Sequence, residues 1–278
     1  MTDRIFVGNA EIVFVLDMVP PPRPADVFFE GISSSDVESY KDIFEGGDIQ
    51  LYYGHFFIHS MGKTILIDTG MGPGPHPDRG NIRGDLLNQL VAQGVKPDDI
   101  DIVAHTHLHF DHVGWNLDLS GKVPKPNFPN ARYLVPEADW AHFTQPEILS
   151  ESPQVKQYVL PLEKLGVMDL VNEGHTITQE ITTLDTPGHT PGHQVILVSS
   201  QGEKAMIVGD AFHSRVQIEK PDWSARVDTN KFDSTRSRYN LLERAEAEDY
   251  TIAAGHFHPT DHIGKVIRKN GRRYWSVI

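Results

Sequence analysis

The sequence predicts an α/β fold, and three observations carry that prediction. Apolar runs of strand length alternate with helical patterns along the chain. Several of those runs end abruptly in a histidine or aspartate on a glycine-bearing turn, as when a rigid sheet presents polar groups along one edge. No composition break or flexible linker divides the 278 residues, so residues 1–278 read as a single domain with a sizeable core.

Residues 12–16 (Ile-Val-Phe-Val-Leu) form the first buried strand. Pro20, Pro21, Pro22 and Pro24 cannot continue a sheet or helix, so a Pro-rich excursion is expected over about residues 17–47. Residues 48–59 and 64–70 read as paired strands around a Met61-Gly62-Lys63 turn. The second ends in Asp68, which either caps the turn or orients a ligating histidine from behind. Leu86, Leu87, Leu90 and Val91 recur at helical spacing up to the stop at Gly94. Residues 100–104 and 131–135 are strands, and 136–143 a short helix. Strands follow at 167–171, 177–184, 194–199 and 204–208. Residues 233–249 form a helix with Asp233 or Ser234 as N-cap and Leu241, Leu242 and Ala245 as its apolar stripe. Residues 251–254 and 274–278 are the last strands.

Composition excludes several function classes. The 25 Lys and Arg against 38 Asp and Glu give a net charge of -13, which opposes a broad nucleic-acid footprint. With no cysteine there is no disulfide, thiolate ligand or thiol nucleophile, so any chemistry must use histidine, carboxylate, hydroxyl or metal-bound water. No stretch reads as a signal peptide or membrane span, and a cytoplasmic location is the expectation.

The chemistry concentrates in Thr106-His107-Leu108-His109-Phe110-Asp111-His112. One histidine alone would be solvated or structural. Four metal-competent side chains in six residues would be costly to bury without an ion to offset them. In an extended segment His107 and His109 point the same way and can grip one cation, while Asp111 and His112 face a second. Imidazole and carboxylate suit zinc without thiolate. His189, Asp210 and His256 each follow a later apolar run and are assigned to the same site. His193 is expected to orient a ligand, while His55, His59, His76, His142 and His175 show no partner pattern.

These residues, in this order and spacing, resemble the metallo-β-lactamase superfamily over roughly residues 49–278. The resemblance implies an αβ/βα four-layer sandwich with a dinuclear centre at the shared sheet edge. It assigns His107, His109 and His189 to one metal, Asp111, His112 and His256 to the other, and Asp210 as bridge, with Asp68 behind them. Two divalent cations are implied, zinc first, with manganese, cobalt or iron accepted by such N/O sites. The segments at 112–116 and 209–213 are similar to the methyl-parathion-hydrolase-like enzymes and the N-acyl-homoserine-lactone lactonases. Those lactonases usually carry a tyrosine three residues after the bridging aspartate, where this chain has His213.

The chemistry implied is hydrolysis of an ester or lactone, with phosphotriesters and glyoxalase-II-like thioesters as alternatives and a non-catalytic metal-binding protein as the rival class. A cysteine-ligand β-lactamase is excluded by composition, and a diiron flavoprotein usually has Glu where His109 stands. An RNA-processing nuclease shares the core but conflicts with the acidic balance. Asp111 is expected to align the nucleophile and carry a proton, and His213 to donate to the developing oxyanion. Phe28, Phe29, Trp115, Trp140, Phe143, Phe212 and Trp223 are the candidate pocket residues and suggest an apolar small-molecule substrate. No nucleic-acid or membrane partner is expected, and a homodimer is allowed for.

Overall fold

The computed structural model describes residues 3–278 and contains two seven-stranded sheets, each with its strands in chain order. The first runs Arg4–Val7, Ala10–Met18, Tyr53–Ser60, Lys63–Ile67, Ile102–Ala104, Arg132–Pro136 and Met168–Val171. The second runs Thr176–Thr178, Ile181–Asp185, Gln194–Ser200, Glu203–Ile207, Thr251–Ala253, Ile263–Lys269 and Arg272–Val277.

The alternation of side chains along each strand explains the layering. Ile12, Phe14, Phe56, Ile58, Ile65 and Ile67 face Ile196, Val198, Ala205, Ile207 and Ala253 of the second sheet. Their neighbours Val13, Val15, Phe57 and Leu66 point outward onto Leu86 and Leu90 of the helix Leu86–Ala92. On the far side, Val195, Met206 and Ile252 pack against Leu241, Leu242 and Ala245 of the helix Lys231–Glu248. Helix, sheet, sheet and helix therefore stack as four layers, the sandwich that the resemblance implied.

Strand direction decides where the polar residues emerge. Lys63–Ile67, Ile102–Ala104 and Arg132–Pro136 are parallel, so Asp68 and the 105–112 stretch leave the first sheet at one edge. In the second sheet the strands ending at Asp185, Ile207 and Ala253 run the same way, delivering His189, Asp210 and His256 together. Ligand sites gather beyond the carboxyl ends of strands for this reason.

Several expectations change. The first strand extends to Met18, so Asp17 is sheet, and the excursion after it folds into two short helices, Ala25–Phe28 and Ser34–Glu38. The expected strand over 177–184 is a hairpin turning at residues 179–180, where the Glu180 amide donates to the Thr178 hydroxyl at 3.2 Å instead of to the ladder. Asn230 caps the long helix, its Oδ1 accepting from the Asp233 amide at 3.1 Å, and leaves Ser234 for the interior. Arg4–Val7 and Ile263–Lys269 are strands with no expectation behind them. No helix of the described residues is long and apolar enough to cross a membrane.

Candidate metal centre

The 105–112 stretch leaves the strand at Ala104 and is fastened before it begins its short helix, Phe110–Val113. Asp68 accepts from the Thr106 amide at 2.8 Å and from its hydroxyl at 2.7 Å. Asp139 accepts from the Leu108 amide at 3.0 Å, the Thr190 hydroxyl at 2.9 Å and the Gly192 amide at 2.6 Å, tying the stretch to the loop that carries His189. His107 and His109 thus converge in a pinned loop, not along an extended strand as the spacing suggested.

The structure brings all seven candidate ligands together. His107 Nε2 lies 3.1 Å from His109 Nδ1, which lies 2.8 Å from His189 Nε2. Asp210 stands between two sets of imidazoles. Its Oδ1 is 2.9 Å from His256 Nε2 and 3.0 Å from His112 Nε2, while its Oδ2 is 3.2 Å from His189 Nε2 and 3.9 Å from His107 Nε2. Asp111 Oδ1 is 3.8 Å from His112 Nε2, and Asp111, His112 and His256 form a further group of ligand atoms.

Hydrogen bonds to the outer ring nitrogens choose which nitrogen faces inward. His112 Nδ1–H donates to Asp68 at 2.8 Å, His189 Nδ1–H to Asp228 at 3.0 Å and His256 Nδ1–H to the Tyr52 carbonyl at 2.9 Å. His107 Nδ1–H meets the Thr106 hydroxyl oxygen at 3.0 Å, because that hydroxyl already donates to Asp68. In each ring Nε2 is the nitrogen turned to the interior, the arrangement that positions imidazole ligands. His112 Nε2 and Asp210 Oδ1 are buried without a hydrogen bond of acceptable geometry. Buried polar atoms in that condition are unfavourable unless a further partner takes them. The donor set of imidazole and carboxylate fits a pair of divalent cations.

The electrostatics divide the histidines. Burial, together with neighbouring imidazoles, holds His107 and His109 well below the usual histidine range. Burial opposes charge on His112, yet the Asp210, Asp68 and Asp111 carboxylates raise it well above that range. His189 is raised to about 9 against the same burial, by Asp210 and Asp228. Asp210 in turn is driven well below the carboxylate range by His256, His112 and His189, against its own burial.

Two glycines are required here. Gly209 sits at φ +48, and a Cβ there would lie 2.8 Å from His193 Nε2 and 2.9 Å from the Thr106 hydroxyl. Gly188 sits at φ +133, where a Cβ would fall 2.0 Å from the Ser234 amide nitrogen. His193 Nε2 accepts from the Asp210 amide at 3.0 Å.

His213 lies 2% exposed among the ligands, stacked on His256 at 5.3 Å, with Nε2 3.2 Å from Asp210 Oδ2. Beside it a cleft of about 450 Å³ opens between residues 42–52 and the loops at 213–215 and 256–261. None of the seven candidate pocket aromatics is among the described residues that line this cleft. Phe28 and Phe143 do stand near the centre, 5.3 Å from His213 and 6.0 Å from His109. All seven pack in or against the core, Phe28 and Phe143 included. Phe212 lies under the long helix, Phe29 and Trp223 pack with Phe44, and Trp140 packs with Phe143. The Trp115 indole donates to Asp17 at 2.9 Å. Large rings bury most area against other apolar groups, which outweighs lining a polar cleft.

Sequence reasoning missed Asp228, Asp139 and His55. Asp228 also accepts from Ser234 at 2.6 Å and pairs with Arg238 at 3.2 Å, both inside the protein. The available signal was Arg238 on the buried stripe of the long helix, since a buried guanidinium demands a carboxylate. His55 is buried with its ring edge-on to His112 at 5.7 Å, and burial holds it down at about 3.

The sequence profile described as the Metallo-beta-lactamase superfamily matches residues 56–258. The N-acyl homoserine lactonase AttM of Rhizobium radiobacter is 28% identical over 235 residues, which are 76% of this chain and 84% of the relative. The crystal structure of hydrolase AbOPH of the beta lactamase superfamily superposes with a TM-score of 0.85 at 25% identity, covering 99% of this chain and 96% of that one. The dizinc quorum-quenching lactonase AidC, in complex with a homoserine product, shares the fold with a TM-score of 0.82 at 23% identity, covering 99% and 96%.

Proposed function

Because the chain belongs to the metallo-beta-lactamase superfamily and is a metal-dependent hydrolase, we propose that it opens a lactone, or cleaves a comparable ester, of a small molecule at a dinuclear zinc centre. The observation that carries this reading is Asp210, whose two carboxylate oxygens address two separate imidazole sets. Similarity to AttM, a homoserine lactonase, favours the lactone.

His107, His109 and His189 would hold one cation, Asp111, His112 and His256 the other, with Asp210 shared. When bound, such a pair supplies a water of lowered pKa and polarises the scissile group. The chain's own residues do the rest. Asp111, with Oδ1 3.8 Å from His112 Nε2, is the ligand carboxylate that is not shared between the two imidazole sets. It takes the proton of the nucleophile and returns it to the leaving oxygen, which in a lactone stays attached to the product. His213 is kept neutral by burial, and its ring N–H is a donor for the oxyanion that develops on the carbonyl. Asp68, Asp228 and the Tyr52 carbonyl hold the imidazoles still while this happens.

The test is a panel of lactones, aryl esters and phosphotriesters, run with metal analysis on the same preparation. Lactone turnover that scales with zinc content is expected. A protein carrying two metals that turns over none of the panel refutes the proposal.

A further inference from the structure

The cleft beside the centre is acidic. Asp42, Glu45, Asp48 and Asp261 line it against a single guanidinium, Arg215. Arg215 is divided between Asp42 and Asp261, each at 3.7 Å. Glu45 and Asp48 have no ion pair or side-chain hydrogen bond among the described residues, so their charge is unspent. Tyr52 stands in the same wall, edge-on to His258 at 5.0 Å. Asp261 and Glu45 line the same cleft as Tyr52, and burial together with their carboxylates pushes its phenol up. An aromatic ring flanked by carboxylates suits an ammonium group. A separate observation marks the cleft as a place where a ligand sits. His213 lines it, is 2% exposed, and has neither ring nitrogen hydrogen-bonded, since the approach of Nε2 to Asp210 is off-angle.

We infer that this cleft selects substrates that carry positive charge remote from the scissile bond and turns away anionic ones, with Glu45 and Asp48 determining the choice. The inference rests on the hydrolase reading above. Its physical basis is the field of like charges focused by low-dielectric walls, which acts before chemistry begins. Anionic substrates, such as carboxylate-bearing thioesters and lactams, are therefore disfavoured at this mouth.

The experiment uses the metal-loaded protein and three aryl esters that differ only in the remote substituent: trimethylammonium, tert-butyl or sulfonate. At low salt, kcat/KM should fall in that order by about tenfold or more from end to end, and the spread should shrink above roughly 0.5 M salt. The paired substitutions Glu45→Gln and Asp48→Asn should compress the spread at least about threefold and leave the tert-butyl ester unchanged, because neither residue touches the reacting atoms. A sulfonate ester turned over as well as the ammonium ester, or a spread unaltered in the variant, overturns the inference. If no ester is turned over, the hydrolase reading is decided separately by the lactone and phosphotriester arms of the panel above. Calorimetric binding of phenyltrimethylammonium against benzyl alcohol then decides this one, and equal affinity overturns it.

Discussion

His189 Nδ1 lies 3.0 Å from Asp228 Oδ1, and the other oxygen of that carboxylate lies 3.2 Å from a guanidinium nitrogen of Arg238, which is fully buried. One carboxylate thus orients a candidate metal ligand and balances an interior cation. Asp228→Asn should weaken metal binding by about 10–100-fold, because the imidazole loses its anionic partner. It should also cost about 3–5 kcal/mol of stability, since Arg238 is left as an uncompensated buried charge. Metal titration and urea unfolding of the metal-free variant read the two effects apart.

His213 can be separated from the ligands by what its loss changes. His213→Ala is expected to lower kcat by about 10²–10³-fold, the range for removing one oxyanion donor, with both metals retained. Metal analysis alongside steady-state kinetics checks it. A variant that loses a metal in proportion to activity would make His213 a ligand instead.

Metal uptake should be steeply pH-dependent. In the metal-free protein His189 is raised from 6.5 to about 9, and His112 and His256 are raised as well. A raised group gives stability that is complete below the unfolded value of 6.5 and is lost as pH climbs through the folded value. The metal-free protein should therefore lose Tm between about pH 6.5 and 9, while metal affinity grows because fewer protons must be displaced. His107 and His109, held neutral, act oppositely and only below 6.5. Calorimetry in buffers of different ionisation enthalpy should record proton release at pH 7.

Gly188→Ala should destabilise the fold by at least about 1–3 kcal/mol, because φ +133 is a region for glycine alone and the added Cβ meets the Ser234 amide. Lys231–Glu248 would be forced off the 186–193 loop, so zinc content should fall with stability. Denaturant unfolding and metal analysis check both.

The strands, the long helix and the crowded His107–His112 stretch were legible in the sequence because each is written in short-range spacing. The pattern at Ile65, Leu66 and Ile67 states which side chains face which layer. Glycines at 188 and 255 mark where the chain passes close beside another backbone, and Gly209 where it passes beside the His193 and Thr106 side chains. Two misreadings were local. The 179–180 turn carries no glycine or proline, and Asn230 was passed over as a cap.

What only the tertiary structure decided is which distant groups meet. Asp228 precedes its helix in an undistinguished loop and acquires its importance across 39 residues, from His189. The acidic cleft joins residues 42–48, 213–215 and 258–261, and no local pattern shows that these three segments meet. The seven aromatics were candidates for a pocket wall in sequence, yet all pack in or against the core, where contact with other apolar groups removes more of their surface from water. Local spacing sets the periodicity of a segment, whereas a carboxylate's partner is chosen by the layers that bring two segments within a few ångströms.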